Sequence, residues 1–271
     1  MTTATLNATR PFGEQLRDWR QRRRLSQMAL ALDADISTRH LSFMETGRAT
    51  PSRTMVLRLA EQLEIPLRER NDMLIAAGHA PAFAERRLDD PALSAARRAI
   101  ELVLKGHEPY PALAIDRHWT MVAANAAVPP LLDGVAPFLL AGPVNVLRLS
   151  LHPDGLAPRI LNLAEWRAHL LDRLRRQIDM SADPVLIDLL AELKALPAPV
   201  HVASPSMAHD PYGGLVVPMR LATARGCLSL FTTTTVFGTP LDITLAELAV
   251  EAFFPADAAT AEALASMAQR P

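Results

Sequence analysis

The segment from Phe12 to Ser52, FGEQLRDWRQRRRLSQMALALDADISTRHLSFMETGRATPS, constrains this chain more than any other stretch. Phe12, Leu16 and Trp19 recur at helical spacing and predict a first helix with one apolar stripe. Ser26 is placed to cap a second helix, with Leu30, Ala31 and Ala34 on its inner face. Asp35 falls in the turn that follows, where a small polar residue tolerates a left-handed backbone. Ser37 caps a third helix that buries Leu41 and Met44 and stops at Gly47. Helices this short hold only when packed on one another, so the segment must fold as a compact bundle. With cationic residues at both edges, the layout can set one helix in the major groove of DNA while a neighbour holds the backbone.

The bundle is expected to continue. Ser52 caps a fourth helix with Val56, Leu59, Ala60 and Leu63 inward, and Leu67 to Ala77 forms a fifth, closed by Gly78. LSQ ahead of the second helix and a third helix ending in ETGR and PS make residues 10–78 resemble the helix-turn-helix of the Xre/Cro family of phage-repressor-like regulators. The resemblance implies roles residue by residue. Gln27 would bond a backbone phosphate, and Thr38 and Arg39 would face base edges, with Ser42 and Phe43 one turn on. A guanidinium such as that of Arg39 can bond guanine O6 and N7 together. Phe43 departs from the polar residue common at its position and implies apolar contact with a thymine methyl. Arg48 and Arg53 would lie along the phosphates, positioning rather than reading. Arg20 is implied to pair with Glu45, tying the first helix to the third, and a homodimer on two half-sites is implied for the whole. Arg22, Arg23 and Arg24 stay open between a solvated face and phosphate contacts, and His40 reads as a surface residue. Adaptor use of the same fold, protein on protein, is the alternative for this segment.

Charge favours the DNA reading. Residues 1–80 carry 12 Arg against 9 Asp and Glu, a balance of +3, in a chain whose total is −1. The near-neutral total excludes a generally basic protein, so binding would rest on a local patch. An apolar content of 49% without an uninterrupted run of about 18 apolar residues argues for a soluble protein without a membrane partner. Residues 1–9 lack the apolar core of a secretion signal and read as a disordered lead-in. The single cysteine, Cys227, excludes an internal disulfide and fits a reducing cytoplasm.

Residues 79–108 read as a linker, GHAPAFAERRLDDP, followed by a coupling helix from about Ala92 to Leu104. From Pro109 the pattern changes. PALAIDRHWTMVAANAA predicts strand, tight turn, strand, and then a helix capped by Asn125, the way sensor domains of the PAS type begin. GLVVPMRLAT, a turn at Ala224-Arg225-Gly226, CLSLFTTTTVF, a turn at Gly238-Thr239-Pro240 and a strand from Leu245 to Glu251 complete an antiparallel sheet. Between the two strand groups lies a helical insert. Asn162 and Glu165 form an N-x-x-E capping pair ahead of Leu163, Trp166, Leu170, Leu174 and Ile178, and Asp183-Pro184 opens a second helix stopped by Pro197. Ala256 to Met267 reads as a closing helix. A small sheet covered by such helices makes a natural enclosed cavity.

The stretches EPYPALAIDRHW, NVLRLSLHPDGL, FTTTTVFGTPLD and EAFFPAD span most of the second half and resemble the MmyB-like ligand-binding domain, found behind the same helix-turn-helix in actinobacterial and related regulators. The resemblance implies a PAS-like fold over 109–271 with a cavity suited to a lipid-like small molecule. The fold class expected is therefore two domains, an all-α five-helix bundle followed by an α+β PAS-like antiparallel sheet with a helical insert. An elongated acid would need an apolar tunnel with one cationic or hydrogen-bonding end. Tyr110, Arg148, His152, Trp166 and Arg220 are the candidates to line it. The plain alternatives stay open: HPDG at 152–155 as a turn, Trp166 as core, Arg148 as a surface charge.

No G-x-S-x-G elbow, phosphate-cradling glycine loop or H-E-x-x-H helix is present, so no enzyme is expected. His107, His118, His152, His169, His201 and His209 never pair at metal-ligand spacing, and Cys227 reads as a buried, inert thiol. No cofactor is expected beyond a fatty acid or similar hydrophobic molecule in the cavity. The expected partners are a double-stranded DNA operator and a small-molecule effector. The alternative is a second half that serves as a dimerisation or partner-docking module without ligand.

Overall fold

The computed structural model describes residues 10–197, 216–237 and 242–268. The turn expected at 238–240, the lead-in at 1–9, and His201 and His209 lie outside them. Two compact units divide the chain, the first taking in residues up to Arg86 together with 179–181 and 241–243, and the second the remainder from Arg87 onward.

Serine starts and left-handed stops build the first unit from α1 (Phe12–Arg22), α2 (Gln27–Asp33), α3 (Thr38–Glu45), α4 (Arg53–Gln62) and α5 (Leu67–Ala76). The hydroxyls of Ser26, Ser37 and Ser52 accept from the amides of Ala29, His40 and Met55, satisfying donors that a helix leaves orphaned. Every one of the five helices then runs into a left-handed residue: Arg24, Asp35, Gly47, Glu64 and Gly78. At each stop the next amide reaches the carbonyl five residues back, as Ile36 does to Ala31 and Ile65 to Ala60. Leu16, Leu30, Leu41, Leu59, Leu63 and Met73 fill the centre.

The second unit runs α6 (Ser94–Gly106), β1 (Ala112–Ile115), β2 (Met121–Ala124), α7 (Pro137–Leu140), α8 (Val146–Leu151), α9 (Leu163–Ser181), α10 (Pro184–Ala195), β3 (Met219–Thr223), β4 (Gly226–Val236), α11 (Ile243–Ala246), β5 (Ala249–Pro255) and α12 (Ala258–Ala268). The strands form one sheet in the order β2-β1-β5-β4-β3, antiparallel throughout. Alternation along the strands gives the sheet two apolar faces. Leu113, Ile115, Leu221 and Leu230 join the large core with Trp166, Leu170 and Leu174 of α9 and Leu186 and Leu189 of α10. Ala112, Ala114 and Val250 meet Ile100 and Leu104 of α6 on the opposite face. The bundle-then-sheet architecture with its helical insert is the fold class expected from the sequence.

The helix at 94–106 lays its apolar stripe on the sheet. Several local expectations are corrected. Asn125 caps no helix. Its Oδ1 accepts from Ala112 N and its Nδ2 donates to Leu104 O and Tyr110 O, so it fastens α6 to β1. The turn after it is a 3-10 segment at Pro129–Leu132. Asn162 bonds the Glu165 carboxylate but caps through no backbone amide; it also holds Pro218 O and Arg220 N beside β3. The strand expected from Leu245 begins only at Ala249, because Ile243–Ala246 closes a helical turn first. Cys227 is exposed, one residue past the hairpin turn and out of phase with the buried Leu228 and Leu230. Among the described residues no helix is long and apolar enough to cross a membrane.

Candidate functional site

Two surfaces carry chemistry, one in each unit. In the first, the leading edge of α3 presents Thr38 and Arg39 to solvent, with Ser42 and Phe43 half-buried one turn on. The guanidiniums of Arg39 and Arg48 lie 5.2 and 6.0 Å from the Phe43 ring, so both cations rest on one aromatic side chain. Two residues on, Glu45 is buried, 4% exposed. Arg20 Nε donates to its Oε1 at 2.6 Å and Arg20 Nη2 to its Oε2 at 3.0 Å. Gln27 Nε2 adds a bond to Oε2 at 2.7 Å, and Arg17 stands 3.6 Å away. Burial alone would raise the Glu45 carboxyl, but the bonds from Arg20 and Gln27 outweigh it and hold the group below its ordinary value. α3 is thus locked to α1 and to the start of α2 through one carboxylate.

That lock occupies one donor of Gln27, the residue expected on a phosphate. Arg53 is exposed and bonds Ala80 O at 2.7 Å. Of the arginines left open, Arg23 is structural: it donates to Leu63 O and Glu64 O, closing the end of α4, and lies over Trp19. Arg22 also lies near that ring.

In the second unit, an apolar cavity of about 90 Å³ lies between the sheet and the insert helices. Leu113, Met121, Val128, Leu147, Leu156, Leu170, Leu221 and Phe253 are among the apolar side chains of its wall. A polar arc interrupts it. Arg173 of α9 donates from Nη1 to Glu251 Oε2 at 2.9 Å, from Nη2 to Oε1 at 2.5 Å, and from Nη2 to Thr234 Oγ1 at 2.6 Å. Its guanidinium stacks 4.6 Å from the Trp119 ring. Trp119 Nε1 donates to Gln177, and Trp166 Nε1 to Ser150 Oγ. Trp166 also stacks on His169, whose imidazole is pushed below its ordinary value by burial and then by Arg173.

Of the five cavity candidates, Trp166 lines the wall and the other four do not. Arg148 forms a two-bond pair with Glu192 at 2.7 Å each, with both side chains nearly half exposed. His152 accepts from Asp154 N within the HPDG turn. A Cβ on Gly155 would lie 2.3 Å from Leu149 O, so that stretch is a tight structural turn. Tyr110 sets its ring against His107, outside the wall. Arg220 serves through its backbone, receiving Leu161 N at its carbonyl.

Sequence reasoning missed Arg173, Glu251 and Trp119. A signal was present for two of them. Glu251 shares the inward register of Ala249 and Phe253 in an otherwise apolar strand, and Arg173 follows Trp166 and Leu170 on the inner stripe of α9. A charge on each of two facing apolar surfaces predicts a pair. Among the described residues no group of three or more His, Cys, Asp or Glu could hold a metal ion.

Comparison with known proteins agrees with this division. The MmyB-like transcription regulator ligand binding domain matches residues 96–267, and a helix-turn-helix domain matches residues 11–73. The uncharacterized HTH-type transcriptional regulator RghRB of Bacillus subtilis (strain 168) is 40% identical over 76 residues, which cover 28% of this chain and 52% of that protein. The chain therefore spans about half the length of the curated relative it matches. An RNA-binding light-oxygen-voltage receptor of known structure is similar at 14% identity over 96% of this chain and 65% of that one, and its TM-score of 0.24 carries no argument. The second unit, with its cavity, coincides with the first of these matches and the bundle with the second. The chain belongs to the MmyB-like transcription regulators, with a helix-turn-helix DNA-binding domain ahead of that family's ligand-binding domain.

Proposed function

We propose that this regulator senses a small hydrophobic molecule in the cavity of its second unit and translates occupancy into DNA affinity. On this reading Thr38, Arg39, Ser42 and Phe43 face base edges, while Gln27, Arg48 and Arg53 hold phosphates, and the protein works as a homodimer on paired half-sites. The observation that carries the reading is an apolar cavity on the same chain as an exposed α3 edge held in place through Glu45. A ligand shifts occupancy only through differential affinity for two arrangements of the protein, so it must favour one of them. The test is operator affinity by fluorescence anisotropy, with and without molecules extracted from the protein of its own host. Identical affinity across every extract defeats the sensing claim.

The docking-module reading has one observation in its favour. Leu102 on α6 and Val185 and Ile187 on α10 are exposed apolar side chains. Sedimentation of the full chain separates the two readings: docking requires association that polar substitutions at these positions abolish.

A further inference from the structure

The cavity contains a cation, as an acid-binding site would, but that cation is already spent. Arg173 gives two bonds to Glu251 and one to Thr234 and covers its face with Trp119. Glu251 is 4% exposed, and Thr234 Oγ1 also donates to its Oε1 at 3.0 Å. Arg173 and Glu251 both line the wall, so the polar arc presents a neutral pair to whatever enters. A carboxylate reaching for Arg173 would come beside the Glu251 carboxylate against an apolar wall. It would bring one uncompensated negative charge up to a carboxylate that is itself 4% exposed, where such a charge is expensive. An uncharged head meets no such penalty. Ser150 Oγ accepts from Trp166 Nε1, which leaves its own proton to donate to a ligand oxygen. Thr232 brings a second hydroxyl to the wall, and the Glu251 oxygens retain lone pairs for a ligand donor.

We infer that the Arg173–Glu251 pair makes this cavity selective for an apolar molecule with an uncharged hydrogen-bonding head, such as an alcohol, ketone or amide, and against the matching carboxylate. The inference rests on the reading of the cavity as a ligand site. Glu251 is the specificity-determining residue, because it cancels the charge that an acid would need.

Calorimetric titration of the full chain with straight-chain 1-alkanols and alkanoates of equal length, roughly three to six carbons to suit a cavity of about 90 Å³, tests the assignment. In the unaltered protein the alkanol is expected to bind about tenfold tighter or more than its alkanoate. In Glu251→Gln, which frees the Arg173 charge, the gap is expected to close or invert. An alkanoate that binds the unaltered protein as well as the alkanol overturns the selectivity while leaving the cavity a ligand site. A preference for alkanol that survives Glu251→Gln overturns the role given to Glu251. Failure of both series at every length overturns the sensing reading itself, and this inference with it. Should Glu251→Gln fail to fold, the comparison in the unaltered protein still decides the selectivity.

Discussion

Gly13 and Met44 approach so closely that a Cβ on residue 13 would lie 2.5 Å from the Met44 carbonyl oxygen and 2.6 Å from that of Glu45. The missing side chain lets α1 lie directly on the last turn of α3. Both neighbours are backbone, so neither can swing aside. Gly13→Ala is expected to destabilise the bundle by about 1–3 kcal/mol, the usual range for overpacking. A urea midpoint equal to that of the unaltered protein refutes this account. Gly47 has open space where a side chain would stand but a φ of +73°, so Gly47→Asn, which tolerates that backbone, is the mild control.

Glu45 makes stability depend on pH with a definite sign. Its carboxyl is depressed in the folded state, so its contribution is complete above the ordinary value of 4.5 and drains as pH falls below that through the lower native value. Glu45→Ala leaves Arg20 and Gln27 facing an empty site, at a cost of about 3–5 kcal/mol for a broken buried pair. Chemical denaturation of both proteins across the acid range should show their difference shrinking below pH 4.5. A difference that stays constant would assign the effect to packing alone.

The two cations on Phe43 are expected to separate by function. Arg39→Ala should lose about 1–3 kcal/mol on the cognate operator and relax specificity there. Arg48→Ala should weaken cognate and random DNA alike and reduce the salt slope by about 1. Binding isotherms at several salt concentrations check both. Equal losses on random DNA for Arg39→Ala would demote it to a phosphate contact.

Filling the cavity should uncouple sensing from DNA binding. Leu147, 1% exposed, lines the wall from α8. Leu147→Phe is expected to abolish alkanol binding, change stability by no more than about 1–3 kcal/mol, and leave ligand-free operator affinity intact. Retained alkanol binding would place the ligand elsewhere.

The helical bundle was largely legible in the residues alone. Its stripes, serine caps and stop residues are local signals, each read within one or two turns of chain, and the Arg20–Glu45 lock came through family resemblance. The cavity was legible as a kind of space but not as a set of residues. Arg148 and Arg220 were plausible cations by chemistry, yet one pairs with Glu192 on the surface and the other acts through its backbone. Asn125 and Asn162 sat at plausible cap positions, but each found partners far along the chain.

Short-range periodicity and capping determined the order of elements, the exposed edge of α3 and the two-unit plan. Which charges face one another across the cavity was decided only by tertiary structure. Arg173 and Glu251 are 78 residues apart, and their pairing depends on how α9 lies over β5. A helix or strand is specified by neighbours in sequence, whereas the electrostatics of an enclosed site depend on distances that exist only once the chain has closed around it.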